Sequence, residues 1–584
     1  MEANSEMHLH INEKCKGGRA KERGAALLMT LMISMLLLVA GGALIMTTSM
    51  SSTTAIESTA EMQAYYVAEA GMQSALNVLR GHAQPLVAAS DRMSFRTAVI
   101  PEVSNGPGNT GPSRLAGWLP YNDRTDPTSL VPITVGATTG GYRITVDNLD
   151  PLSHIVEFET SGSIDGSDLA TPNERTFGTV GGTDEITIRF NGQPLTLLMV
   201  DPNVNPLTAA SDLGTFVIER PLTSTDDDVV IGETDFELTI TQTKPWSATT
   251  TLEGTIQGEI DTAATTLTVS FRKVSVKADG TTYALNLSGG DPKVLNLTYT
   301  SSPGTTLIPA NITAPDPKRL LVKSYGFGPH GSEKRLEIIV TRANLEFDAP
   351  AGVTLQGADD CSPLILDTGS SGAKYYSGVD RSGIDPQRPT FGVTSCDQDD
   401  AVAGIKKHDT VADPEVGILS SNGTSPGTVE RPNFLDSANK ARAYLNSLQA
   451  KAQSVGRYFK PTAGGSITVS EPLDTPMFTF IDGDCTLTDG AGFLVVTGQL
   501  TMRGNTNFKG AILVLGEGHL LRNGGGDGEI LGGITIAAFD RTSGGFLAPT
   551  FETNGGGNST IQYDSMSVGR AISSGTNVGG VREF

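Results

Sequence analysis

From Ala25 to Met46 the chain runs AALLMTLMISMLLLVAGGALIM, 22 residues without one charged side chain. As a helix that stretch is about 33 Å long, enough to span the hydrocarbon of a bilayer. Lys14, Lys16, Arg19, Lys21 and Arg23 come just before it, and the next charges after it are Glu57, Glu61 and Glu69. Such an asymmetry keeps the basic flank in the cytoplasm and puts the C-terminal bulk of the chain outside. A secretory signal would have a shorter apolar core and a small-x-small cleavage site at its far end. Here helical periodicity resumes at once. Tyr65, Ala68, Met72, Ala75 and Leu79 fall on one face, and Glu61, Gln63, Gln73 and Asn77 on the other. One rod from Ala25 to Arg80 is expected, about 84 Å long, half of it in lipid and half under a globular body.

The rest of the 584 residues has a different character. Charged residues make up 18%, glycines number 68 and prolines 31. With Ser and Thr abundant and Lys and Glu sparse, the body reads as strands and loops. The fold class expected is therefore α+β, mostly β. A net charge of −22 repels phosphate backbones, so no nucleic-acid partner is expected.

The basic leader ending in Gly24, the apolar half-helix and the amphipathic half-helix together resemble the N-terminus of type IV pilins. RGAALLMTLMI and AYYVAEAGMQSAL are similar to the PilX class of minor pilins, itself related to GspK-type pseudopilins. The resemblance covers about residues 19–80. It implies that prepilin peptidase cuts after Gly24, that Ala25 becomes the methylated first residue, and that the subunit waits in the bacterial inner membrane as a single-pass protein. From there it would enter a type IV pilus or pseudopilus through the assembly platform, beside other minor and major pilins or pseudopilins, with its body in the periplasm and later at the cell surface.

Leu27, Leu28 and Met29, the Gly41-Gly42 pair, Tyr65 and Met72 would then be assembly residues. Major pilins carry a glutamate at the fifth mature position, where this chain has Met29. Without that carboxylate the subunit cannot neutralise a neighbour's terminal ammonium in an apolar bundle. The resemblance implies that such subunits start or cap a filament. Gly41-Gly42 would be a weak point where the helix loosens on assembly. The competing reading is a single-pass anchored adhesin or polysaccharide-binding surface protein, in which the small residues serve only packing.

Along the body, residues 1–24 read as leader and 25–80 as the helix. Residues 81–345 read as an antiparallel head like that of a pilin. GYRITVDNL, HIVEFETSGSI and EITIRF are its strands, and a sandwich-like domain is inserted at about 195–320. LLVKSYGFGPHGSEKRLEIIVTR, from 320, is a hairpin that resembles the closing hairpin of PilX-like heads. Residues 346–460 read as a loop-rich connector with one helix, capped by Asp436 and stopped by Gly456. In 461–584, GFLVVTGQL, GAILVLGEG and GGITIAAFD begin at 492, 510 and 532, the size of one coil in a parallel β-solenoid. A compact Greek-key sandwich is the alternative.

No catalytic constellation is expected. LILDTGSSG, with Asp367, Thr368, Gly369 and Ser370, looks like an aspartic-protease loop. That chemistry needs a second such loop, and LDTP at 473–476 has proline where the glycine turn belongs, so an ordinary turn is expected. Cys361 and Cys396 are the natural disulfide pair in an oxidising compartment, leaving Cys485 as a buried thiol. Asp359, Asp360, Asp397, Asp399 and Asp400 flank that pair and would suit calcium, against a reading of solvated acidic loops. No other cofactor is expected.

Overall fold

The computed structural model describes residues 22–86, 94–100, 112–135, 138–165, 172–178, 185–200, 207–219, 229–260, 266–287, 293–299, 303–342, 345, 347, 349–369, 374–385, 387–394, 427–462 and 464–583. The chain is mostly β, with one long N-terminal apolar helix, α1 (Glu22–Leu79).

The C-terminal part of α1 lies on a five-stranded antiparallel sheet. Its strands run in the order Val131–Val135, Thr138–Asn148, Arg319–Phe327, Glu333–Thr341 and Asn577–Glu583. The strand Arg319–Phe327 buries every second residue, so Leu320, Val322 and Ser324 face the helix. Between the second and third of these strands the chain leaves to build two six-stranded antiparallel sheets. They share one core from Val156 to Ala314, in which Phe190, Phe216 and Phe236 meet one another at ring-centroid distances of 4.8–5.2 Å.

That insertion therefore starts at Ile155, well before the expected 195. Ile155–Ile164 pairs with Val229–Lys244, and Ile186–Gly192 with Thr208–Glu219, so neither belongs to the first sheet. Alternation shows which face of a strand is buried but not which sheet receives it. Where the chain departs and returns, Asp150 Oδ2 accepts the N–H groups of Lys318 and Arg319, both at 2.8 Å, while Oδ1 pairs with the Arg319 guanidinium.

After Thr341 the chain builds a stack of parallel strands. Gly492, Gly510 and Gly532 lie side by side, followed in register by Leu494, Ile512 and Ile534 and then by Val496, Val514 and Ile536. A Cβ on Gly510 would sit within 3.0 Å of the Gly492 backbone, and φ there is 147°, so only glycine lets the chain turn onto each new coil. The expected loop-rich connector also belongs to this stack. Val353–Gln356 pairs in parallel with Glu529–Phe539, Ile365–Leu366 with Thr550–Asn554, and Tyr375–Ser377 with Thr560–Gln562. These runs of two to four residues are too short to show alternation. All four residues of Val353–Gln356 are buried, Thr354 and Gln356 included, so its alternating side chains do not mark a solvent face.

Two helices flank the stack, α2 (Ala438–Ser454) and α3 (Ser565–Ser573). Ser437, not Asp436, caps α2, its hydroxyl accepting from Lys440 N–H; Asp436 instead pairs with Lys273 and Lys440. Gly456, at φ 70°, ends the turn that follows. After α3 the chain leaves the stack, so the expected last domain does not run to its end: Asn577–Glu583 completes the first sheet.

Candidate functional site

Two halves of α1 differ in what covers them. From Ala25 to Thr59 every residue except Gly41 is exposed, and Leu27, Leu28 and Met29 stand 63–70% open. A Cβ built on Gly41 or Gly42 would meet nothing within 4 Å, so neither glycine is required by a contact inside the chain. Most hydroxyls in this half close on the helix itself. Thr30 donates to Ala26 O at 3.0 Å, Ser34 to Leu31 O at 2.9 Å, Thr48 to Leu44 O at 2.8 Å and Thr54 to Met50 O at 2.9 Å. Within Ala25–Met46 the bonds of Thr30 and Ser34 leave no hydroxyl in need of water, which suits hydrocarbon. Among the described residues α1 is the one helix long and apolar enough to cross a membrane. Gly24 lies within its first turn.

The seat begins at Ala60. Ala60, Ala64, Ala68, Gly71 and Ala75 turn small surfaces to the sheet, and Met72 and Leu79 are buried beside them, with Tyr65 at the margin. Small side chains let backbones approach, and hydroxyls from the sheet bridge them. Ser324 donates to Ala68 O at 2.7 Å and Ser332 to Ala60 O at 2.9 Å. Gly326 and Gly328 lie against the helix backbone: a Cβ on the first would sit 2.8 Å from Ala68 Cα, and on the second 2.9 Å from Ala60 O. Across the interface a Cβ on Gly71 would be 2.7 Å from the Tyr142 ring. Burial raises the Tyr142 pKa, an effect opposed by its hydrogen bond to Ser74. At the rim Lys334 stands 3.4 Å from Glu61 and 3.6 Å from Glu583.

The far end of α1 is tied to the parallel stack. Thr576 donates to Leu79 O at 3.3 Å, Arg570 Nε to Gly81 O at 2.6 Å, and His82 Nε2 lies 3.0 Å from Pro476 O. The bond to Leu79 O occupies a carbonyl that the helix end otherwise leaves bare. Burial lowers the His82 pKa, helped by Arg80 and Arg570 and opposed by its bond to Pro476.

Other sequence candidates are dispersed. Cys361 is disulfide-bonded and Cys485 is a buried free thiol whose pKa burial pushes up to about 12; Cys396 lies outside the described residues. Asp359 accepts Phe546 N–H at 2.8 Å and Asp360 accepts Ser362 N–H at 3.0 Å. Both acids thus hold local backbone, while Asp397, Asp399 and Asp400 lie outside the described residues. No cluster of three metal-ligating side chains occurs among the described residues. Asp367 accepts Gly369 N–H at 2.9 Å in a tight turn, with Gly369 at φ 80°. Sequence reading missed Ser324, Gly326 and Gly328; their signal was two glycines spaced by two in SYGFG, where the strand Arg319–Phe327 ends. No family model, curated protein or solved structure matches the chain.

Proposed function

We propose that the chain is a structural minor pilin of PilX type, inserted into a type IV pilus or pseudopilus at its start or tip and carrying a large β body outward. The observation that carries this reading is the division of α1, with one half seated on its own sheet and the other bare, its uncharged stretch Ala25–Met46 having both hydroxyls, Thr30 and Ser34, bonded to the helix itself. Such a half-helix is suited to two surroundings, lipid and a bundle of neighbouring apolar helices. Moving between them exchanges one apolar contact for another at small net cost.

In this mechanism prepilin peptidase removes residues 1–24 and exposes the Ala25 ammonium. Met29 offers no carboxylate to a neighbour, so nothing is recruited through that position, and the wide body above the helix blocks further addition. The strands from Val353 to Gln562 form a β-solenoid held beside the head by Arg570, Thr576 and the returning strand.

Mass spectrometry of the mature N-terminus tests the reading, together with Gly24→Phe. The wild type should begin at methylated Ala25 and co-purify with sheared filaments, whereas the variant should keep its leader and stay in the membrane fraction. A wild-type chain retaining Met1 to Arg23, or normal filament entry of the variant, would overturn the proposal in favour of a plain membrane anchor.

A further inference from the structure

The register of the parallel stack breaks around Thr488, on both sides of its strand. Leu487 pairs with Met502, yet the next partners are Asp489 and Asn507, so residues 503–506 bulge out opposite a single residue. Thr506 holds the bulge closed, accepting Arg503 N–H at 2.9 Å and donating to Leu487 O at 2.8 Å. The glycine turn of the following coil lies directly against it: a Cβ on Gly504 would stand 2.7 Å from Gly526 N. Between bulge, turn and neighbouring strands runs an open groove of about 580 Å³ across three coils.

Most hydroxyl and carboxylate groups along the groove are engaged within the chain. Thr486 shares a hydrogen bond with Ser466 at 3.1 Å, Thr488 donates to Val469 O at 2.9 Å, and Asp489 accepts from Asn507 at 3.0 Å. Three side chains differ. The Arg503 guanidinium and the Asn505 and Asn523 amides line the groove, are exposed, and form no side-chain hydrogen bond or ion pair among the described residues. Arg503 and Asn523 are register partners on adjacent coils. An arginine with five free donors beside two amides, each donor and acceptor, is a hydrogen-bonding surface without an internal use.

The lining also restricts the ligand. It contains no aromatic or large aliphatic side chain, so an apolar molecule gains nothing there. Its one acid and one base leave it neutral on a chain of net charge −22, whose field repels polyanions. A neutral molecule dense in hydroxyls remains. Neighbouring coils are spaced about 4.8 Å apart, comparable to the length of one sugar residue. A linear glycan laid across them meets a fresh polar side chain at each step.

We propose that this groove binds a neutral polysaccharide chain, with Arg503, Asn505 and Asn523 as its donors. The inference does not depend on how α1 is used. With hydrogen bonds alone, each worth about 1 kcal/mol net, affinity for a short oligosaccharide should be near ~1 mM and rise on a polymer through repeated contact.

The full chain in lipid nanodiscs, free of sugar-headed detergent, would be titrated with cellohexaose, maltohexaose, mannohexaose and hexagalacturonate. Binding of a neutral hexasaccharide is expected. It should weaken about tenfold in Arg503→Ala and in Asn505→Ala/Asn523→Ala, one lost hydrogen bond or more in each case, with hydrogen exchange of the stack unchanged. No neutral binding at ~10 mM, binding of hexagalacturonate alone, or binding that both variants leave intact would overturn it.

Discussion

Replacing Gly326 by alanine isolates the closeness of the helix seat. Its φ is not in the left-handed region, so the added methyl strains nothing locally; what it meets is α1. The new Cβ would stand 2.8 Å from Ala68 Cα and closer still to Ala64 O and Ala68 N, against an ordinary contact of 3.4–4 Å. These are backbone atoms of a helix and cannot rotate away. The helix must move out by roughly an ångström, which lifts Val67, Ala68, Met72 and Ala75 from their neighbours and stretches the 2.7 Å bond from Ser324 to Ala68 O. Overpacking of this kind costs about 1–3 kcal/mol and the strained buried hydrogen bond about 1 more, so about 3 kcal/mol is expected. A chain of several cores has no single melting free energy, so the assay should be local. Hydrogen exchange over residues 60–79 and 319–341 should quicken about 100-fold, since each 1.4 kcal/mol is about tenfold. Gly232→Ala, where a Cβ meets nothing within 4 Å, is the control and should change exchange by less than about threefold. If Gly326→Ala behaves like that control, the close approach of sheet and helix is not what holds α1.

Two buried ionisable groups give pH-dependent tests of the parallel stack. Lys374 is buried, donates to Gly555 O at 2.9 Å, and has its pKa lowered to about 8 by burial and then by Arg522, against the pull of Asp367. Its folded pKa lies below its unfolded value of 10.5, so the stack should gain stability as pH rises from about 8 to 10.5. Lys374→Met should flatten that rise and add about 1–3 kcal/mol at pH 7, measured by denaturant unfolding followed through hydrogen exchange of residues 360–380; a destabilised variant would refute this. At Asp380 burial pushes the pKa up, but the N–H groups of Ser565 and Asp385 with the hydroxyls of Ser565 and Ser382 outweigh it and hold the value at about 2. Here the stabilisation is full above pH 3.8 and is lost as pH falls toward 2. Asp380→Asn should cost about 2 kcal/mol at pH 7 and remove that acid limb; an unchanged acid titration of the stack would sink the assignment.

What could be read from sequence divides by length scale. The stripe Ala68, Met72, Ala75 and Leu79 is visible because a helix repeats every 3.6 residues, and all four are buried. The spacing of Gly492, Gly510 and Gly532 is visible because each coil needs a residue with positive φ at its start. Long-range partnership is not visible. Nothing local in NVGGVRE distinguishes a last coil from a strand that returns to Glu333–Thr341. Val353–Gln356 is likewise a bare four-residue run until Glu529–Phe539 is beside it. The groove residues were hidden for a related reason. Arg503 and Asn505 look like an ordinary loop, and only the parallel pairing of Gln499–Gly516 with His519–Asn523 puts Arg503 beside Asn523.

The order in which the seat is completed follows from these separations. Residues 138–148, 319–341 and 577–583 lie side by side in one sheet, although the two intervals between them hold the paired six-stranded sheets and the whole parallel stack. The strand Arg319–Phe327 supplies Gly326 and Ser324 against α1, so until the insertion has folded and brought its ends together at Asp150 the helix lacks this strand and has only Thr138–Asn148, where Gly71 meets Tyr142. The outer strand and Thr576, which closes on Leu79 O, come later still. Contacts this distant in sequence form slowly, because each closes a long loop before it is rewarded. Until then the amphipathic half of α1 has Gly71 against Tyr142 but lacks Ser324 and Gly326 opposite Ala68. A chain whose stack misfolds would therefore present a stalk with a loose upper end, so a rigid, correctly seated α1 depends on both large β regions having folded first.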